Sequence, residues 1–137
     1  MFKKVFCLLS ALVVLSAAWV VNSKSDFSSY ASSFEVYSLT SSSSALIEIK
    51  TKNDLLLSFN RYGTSCVVDN LVTVEQIIND FNAKILFIET TENGISYYAF
   101  SENLKYRASI KGEVINLHIF DNGEFLKIGS PIIFGSF

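Results

Sequence analysis

Cysteine is scarce in this 137-residue chain, and the two that occur, Cys7 and Cys66, rule out a scaffold stapled by several disulfides. Cys7 lies in a hydrophobic run that reads as removable or membrane-bound, which leaves Cys66 with no internal partner. The fold must then rest on its core alone. Cys66, within the strand-like "TSCVV", reads as a small buried apolar residue. Histidine is scarcer still. With His118 alone and a single cysteine beside it, a metal shell would have to be completed by carboxylates, and neither number nor spacing supports one. The six glycines are scattered, so no cluster can cradle a phosphate, and no serine stands in a G-x-S-x-G elbow. Carboxylate pairs such as Glu89 with Glu92 are what thirteen acids give by chance. No catalytic residue, cofactor or metal ligand is assigned, and the chain reads as not an enzyme.

Positive charge is also short. Without residues 1–23, which carry Lys3 and Lys4 and no acid, nine Lys and Arg face thirteen Asp and Glu, a net charge of −4. Nucleic acid is excluded as a partner, because affinity for a polyphosphate rests on clustered cations.

Apolar residues, in contrast, make up 50% of the chain, and their densest block is at the start. Met1-Phe2-Lys3-Lys4 is a cationic lead, and Val5–Val21 is a run of seventeen uncharged residues with only Ser10 and Ser16 polar. A bilayer core takes roughly 20 helical residues, so the run is slightly short for a span. It reads as an export signal cut after Ala18 or after Ser23, or as a retained N-terminal membrane anchor. Lys3 and Lys4 stay cytoplasmic in either case, so the rest is expected outside, secreted or anchored. Residues 1–23 are thus signal or anchor, Lys24–Ser33 ("KSDFSSYASS") a Ser-rich linker, and 34–137 a single domain.

Alternation and turn chemistry divide that domain into strands around one helix. "FEVYSLT" (Phe34–Thr40) and "ALIEIKT" (Ala45–Thr51) alternate on either side of four serines and read as a hairpin. "DLLLSF" (Asp54–Phe59) and "SCVV" (Ser65–Val68) read as further strands around the turn "NRYG". Thr73 with Gln76 three residues on makes a capping box, and Val74, Ile77, Ile78 and Phe81 form one apolar stripe. Such a helix needs a sheet to lie on. Two Asn-Gly pairs supply hairpins, one at Asn93-Gly94 joining Lys84–Thr90 to Ile95–Ser101, the other at Asn122-Gly123 joining Val114–Phe120 to Glu124–Gly129. "SENLKYRASIKGE" reads as the loop between them, and Pro131 opens a last edge strand, "IIF". The class is α+β, a largely antiparallel sheet with one main amphipathic helix packed on it, plus the N-terminal signal or anchor helix.

A two-residue turn fixes register, so facing pairs can be written out. In the second hairpin Phe120 faces Phe125, Ile119 faces Leu126, His118 faces Lys127 and Leu117 faces Ile128. One side is then aliphatic, and the other carries Asn116, His118, Phe120, Phe125 and Lys127. Lys127 across the strand opposes protonation of His118, and no carboxylate is placed to orient the ring as a base. In the first hairpin Phe87 and Glu89 share a face with Phe100 and Tyr98, while Ile88 and Thr90 share the other with Ala99 and Tyr97. Aromatic residues on both faces leave one of them in need of a second layer or a partner. The candidate partner-binding surface is Phe120, Phe125, His118, Lys127, Tyr97 and Tyr98.

The order "FNAK", "GISYYAFSENL", "GEVINLHI" and "FLKIGSPIIFGSF" resembles the C-terminal half of the YwmB family of exported bacterial proteins. Asn116-Leu117 and Gly129-Ser130-Pro131-Ile132-Ile133 carry the likeness, which covers Leu71–Phe137. Phe34–Val68 departs from the pattern. The resemblance implies a secreted or anchored α+β domain with a fold similar to the TATA-box-binding proteins. It carries no established activity and no catalytic residues. The expectation is an exported, non-enzymatic binding or accessory protein of the bacterial cell envelope, meeting an envelope protein or peptide and touching the membrane only through residues 5–21. Its rivals are a small ligand-binding protein or hydrolase with a cleft over the His118 face, and a purely structural envelope protein.

Overall fold

The computed structural model describes residues 7, 9–16, 27–39, 45–51, 61–69 and 71–134, with the backbone alone at 39, 45–51 and 61. The expected strand Asp54–Phe59, the four-serine turn and the start of the linker lie outside the described residues. Residues 9–16 are helical, and among the described residues no helix is long and apolar enough to cross a membrane.

The strands are β1 (Ser33–Leu39), β2 (Ala45–Thr51), β3 (Arg61–Val67), β4 (Lys84–Thr91), β5 (Gly94–Phe100), β6 (Ala108–Ile110), β7 (Glu113–Ile115), β8 (Leu117–Asp121) and β9 (Leu126–Ser130), and the helix α1 (Val74–Asp80) joins β3 to β4. Seven strands form one sheet in the order β2-β1-β3-β9-β8-β5-β4, antiparallel at every pairing, while β6 and β7 form a separate small hairpin. The α+β class holds.

Helix α1 is bounded by local chemistry at both ends. The Gln76 N–H donates to Thr73 Oγ1 (3.2 Å) and the Thr73 N–H to Gln76 Oε1 (2.9 Å), closing the capping box. At the other end Asn82 takes a left-handed φ of 46°, and the N–H groups of Asn82 and Ala83 donate to the carbonyls of Asn79 and Ile78, a Schellman ending with asparagine in glycine's place. The apolar stripe then faces the sheet: Ile77 is fully buried, Phe81 nearly so, and Val74 and Ile78 pack beside them. Beneath lies a row that crosses the sheet, with Cys66 opposite Ile128, Ile128 opposite Ile119 and Ile119 opposite Tyr97. Phe27, Tyr30 and Ala31 complete this layer. The linker assigned to 24–33 is therefore corrected from residue 27 onward: Phe27 is 0% exposed and meets the Phe81 ring edge-on at 5.5 Å.

Both expected turns move, for identifiable reasons. The β4–β5 turn is Glu92-Asn93, with Thr91 facing Gly94, because Gly94 is needed inside the ladder. Its φ is +151°, and a Cβ there would strike the Asp121 carbonyl oxygen and come within 2.9 Å of Phe120 Cζ. The β8–β9 connection is a four-residue loop, Asn122–Phe125, in which Asn122 Oδ1 accepts from the N–H groups of Glu124 and Phe125 at 2.9 Å each and Asp121 Oδ1 accepts from Gly123 at 2.8 Å. Side-chain capping of the loop overrides the two-residue turn. His118 accordingly faces Gly129, and Lys127 faces Phe120. The expected loop 101–113 contains β6 and half of a tight hairpin, whose turn residues Lys111 and Gly112 have φ of 53° and 80°.

The long strand expected over Val114–Phe120 breaks at Asn116, which is 0% exposed. Its amide accepts from the Ser101 N–H (2.7 Å) and donates to the carbonyls of Ser101 (2.6 Å) and Leu104 (3.2 Å), tying the chain after β5 to the start of β8. Replacing Asn116 with Ala strands three buried backbone groups. At roughly 1 kcal/mol or more for each, the urea midpoint of Asn116→Ala should report a loss of about 3 kcal/mol with an unchanged m-value; a loss under about 1 kcal/mol would show that water replaces the amide.

Candidate functional site

The helix covers one face of the sheet; the chemistry lies on the other. Register places Glu35 and Tyr37 of β1, Gly63 and Ser65 of β3, Lys127 and Gly129 of β9, His118 and Phe120 of β8, Tyr98 of β5, and Phe87 and Glu89 of β4 on this far face. After Ser130 the chain leaves the sheet, through a cis Ser130–Pro131 peptide, and Pro131–Phe134 turn back across it. The edge strand expected at "IIF" is not formed. This segment is a strap with no ladder partner.

Two glycines make its seat. A Cβ on Gly129 would lie 2.8 Å from Ile133 Cγ1 and 2.9 Å from the Ile132 carbonyl carbon, and one on Gly63 would strike the Ser130 carbonyl oxygen and sit 2.7 Å from Pro131 Cδ. The backbone of the strap therefore rests where side chains would otherwise stand. The Ile133 N–H donates to His118 Nδ1 at 3.2 Å, the Phe134 N–H donates to the Tyr37 hydroxyl at 3.1 Å, and the Phe134 ring meets Tyr37 edge-on at 4.5 Å.

Under the strap runs a polar chain. Lys127 Nζ pairs with Glu35 Oε2 at 3.0 Å, Ser65 Oγ donates to the same oxygen at 2.9 Å, and Ser65 Oγ and the Tyr37 hydroxyl are 2.5 Å apart. Partial burial alone would raise the Glu35 pKa, but the bonds from Lys127 and Ser65 outweigh it and hold the carboxyl below its usual range. Burial pushes the Tyr37 hydroxyl up. On the other side stands an aromatic column, Phe87 on Tyr98 at 4.5 Å and 20°, and Tyr98 on His118 at 4.5 Å and 14°. Glu89 closes it, accepting from the Tyr98 hydroxyl at 2.9 Å and pairing with Lys111, which reaches over from the β6–β7 hairpin.

These positions sort the expected surface residues. His118, Phe120 and Lys127 are 3%, 1% and 9% exposed, so the first two are core and the third a buried ion-pair partner. Tyr98 is half-buried inside the column, and Tyr97 is half-buried on the opposite, helix face. Phe125 alone presents an exposed ring, at 38%, beside a cleft of about 440 Å³ that also holds Leu71, Asp69, Asp121 and Glu124. The structure thus brings His118, Phe120, Lys127 and Tyr98 together and leaves Tyr97 and Phe125 apart. Two further readings are corrected. Carboxylates do share the His118 face, Glu89 among them, and the ring is kept neutral by burial, which lowers its pKa to about 4 while the Glu89 charge pulls the other way. Lys127, expected to oppose His118 protonation, instead serves Glu35. Glu35, Ser65 and Tyr37 carry no local signal of this cluster, since only the alternation of Glu35 with Tyr37 marks a shared face in β1, and nothing local says that β9 lies two strands away.

The arrangement is poor in reactive groups. His118 Nδ1 is occupied as an acceptor, Ser65 is 0% exposed, and burial with the Asp69 charge pushes the Cys66 thiol up to about 12, where it stays protonated. Among the described residues no group of three or more His, Cys, Asp or Glu is placed to hold a metal ion.

A neutral buried histidine links stability to pH. The folded pKa of about 4 lies below the ordinary imidazole value of 6.5, so the unfolded chain takes up the proton first. The contribution is complete above pH 6.5, declines as pH falls through this window and is exhausted near pH 4, a total of about 3 kcal/mol at about 1.4 kcal/mol per pKa unit. Urea unfolding at pH 7 and pH 5 should show about 2 kcal/mol of this loss in the natural chain and a much smaller one in His118→Asn, whose amide oxygen stands where Nδ1 does and can still accept from Ile133. Equal slopes in both would assign the acid sensitivity elsewhere. The lone histidine also gives a single imidazole signal, whose NMR titration should have its midpoint near 4.

No family model, curated protein or solved structure matches this chain, so the geometry of the far face and the pattern of the sequence are what bear on its role.

Proposed function

We propose that the protein is an exported, non-enzymatic binding or accessory module of the bacterial cell envelope that acts through a protein or peptide partner. The observation that carries this reading is the N-terminal pattern, the cationic Met1–Lys4 followed by the uncharged run Val5–Val21. Both candidate cleavage positions, after Ala18 and after Ser23, fall upstream of Phe27, the first core residue among those described, so processing would leave the described core whole. A retained anchor would do the same. Cys66, the one thiol left after processing, is buried and protonated, and needs no reducing compartment to stay single. The likeness of Leu71–Phe137 to the YwmB family points the same way.

The non-enzymatic part rests on the far face. The residues with the most chemistry, His118, Ser65, Tyr37 and Lys127, are engaged with each other or with the strap rather than opened to solvent. With the strap in place, accessible apolar surface is offered at Phe125, whose exposed ring lines the same cleft as the fully exposed Leu71. The test is to fractionate bacteria expressing the full chain and weigh the N-terminus. The expected products begin at Trp19 or Lys24 outside the cytoplasm, or retain Met1 in the membrane fraction. A soluble cytoplasmic protein with Met1 intact would overturn the proposal.

A further inference from the structure

Pro131–Phe134 behave toward the sheet as a bound peptide does toward a receptor. Pro131 has no N–H to donate, and the N–H groups of Ile133 and Phe134 are taken by side chains, His118 Nδ1 at 3.2 Å and the Tyr37 hydroxyl at 3.1 Å, while the Tyr37 hydroxyl also reaches the Phe134 carbonyl at 3.3 Å. None of these bonds belongs to a strand ladder. All seven strands stay paired if the strap leaves. The floor is already shaped for a backbone, since Gly63 and Gly129 carry no Cβ where Pro131, Ile132 and Ile133 pass. Side-chain recognition is present too: Ile133 is 5% exposed in its seat and Phe134 lies edge-on against Tyr37. Main-chain capture plus side-chain seats is how extended peptides are recognised generally.

We infer that this seat is a peptide-binding groove, filled in cis by Pro131–Phe134, and that it accepts in trans an extended segment of a partner protein carrying an aliphatic–aromatic pair in the places of Ile133 and Phe134. This deepens the reading of the protein as a partner-binding module and rests on it. The strap is then a built-in competitor. A segment tethered this closely has an effective concentration on the order of millimolar, so a free peptide that binds the open seat at about 10 µM would bind the natural chain about a hundredfold more weakly.

The probe is fluorescein-labelled Ser-Pro-Ile-Ile-Phe-amide, with Phe-Ser-Ile-Pro-Ile-amide as the scrambled control, titrated into the full chain by anisotropy. Ile133→Ser combined with Phe134→Ala removes the strap's side-chain anchors and leaves every groove residue in place. This variant, with a sheet-type circular dichroism spectrum, should bind the probe at least tenfold more tightly than the natural chain does, and adding Gly129→Val should abolish the gain by filling the floor. A folded double variant that binds no better, or that binds the scrambled peptide equally, overturns the groove. If the double variant does not fold, hydrogen exchange on the natural chain decides: the Ile133 and Phe134 amides should exchange at least tenfold faster than those of Ile119 and Ile128 in the ladder, and equal protection overturns an independently opening strap. Failure here leaves the export reading standing, and an intact cytoplasmic chain would sink export while leaving the groove measurable.

Discussion

The contact of Gly129 with Ile132 and Ile133 is the constraint on which the far face depends. A sheet of seven strands spans about 29 Å across its strands at about 4.8 Å per step, whereas a seven-residue helix is only about 10 Å long. Helix α1 with Phe27–Ala31 can therefore close one face at most. The other face carries Phe120, His118 and Tyr98, and it needs cover that no second helix among the described residues provides. The strap supplies that cover over β3, β9 and β8, and it can lie close enough only because positions 63 and 129 have no side chain. With any larger residue at 129 the backbone of Ile132 and Ile133 would stand off, and His118 would lose the donor that now meets its Nδ1.

The polar groups under that cover follow two different rules. Lys127 has a carboxylate partner: Glu35 lies 3.0 Å away and is itself supported by the Ser65 hydroxyl, so opposite charges meet where water is largely excluded. His118 is kept neutral by burial. Tyr98 stacks on one side of the ring, the Ile133 N–H claims Nδ1, and the Glu89 charge, shared with Lys111 and the Tyr98 hydroxyl, does not offset the cost of burial. The two sites sit on neighbouring strands of one face and do not exchange roles. A lysine with a carboxylate tolerates burial charged; an imidazole that must accept a hydrogen bond tolerates it only uncharged.

Much of this was legible in local sequence, for a reason that parity explains. Both hairpin registers read from the Asn-Gly pairs are displaced, yet next to each turn by two residues, and a shift of two returns a side chain to its own face; only the bulge between Ile85 and Phe87 breaks this parity, setting Ile85 opposite Ala99. Leu117, Ile119 and Ile128 therefore fall on the helix face as expected, and His118 and Lys127 on the other. Helix α1 was readable to the residue at its start because the Thr73–Gln76 cap is a local device. What could not be read is what distant segments decide. The place of β9 between β3 and β8 depends on pairing across some sixty residues, as in Cys66 with Ile128, and no local pattern encodes it. Phe27 and Tyr30 look like isolated aromatics among serines until Phe81 is placed beside them. The strap reads as a strand because "IIF" has strand composition; only the third dimension shows that Gly129 lies under it.

Proline at 131 makes the last step of the ladder a point of divergence. The β3–β9 pairing ends at Thr64 opposite Ser130, and the next residue has no N–H with which to continue it. Of the donors at Ile133 and Phe134 the first is buried and the second part-buried, and the face itself offers them acceptors, an imidazole nitrogen and a phenol oxygen. Each such bond contributes about 1 kcal/mol net, and fully burying a side chain such as Ile133 contributes about 2 kcal/mol more. The sum is a few kcal/mol, enough to hold the strap down most of the time and well short of what a strand with two ladder neighbours gains. A segment held at that level opens before the sheet does. Coverage of the far face is thus an equilibrium of its own, set by four residues and by the charge state of one histidine, and it is separable from the stability of the seven strands beneath.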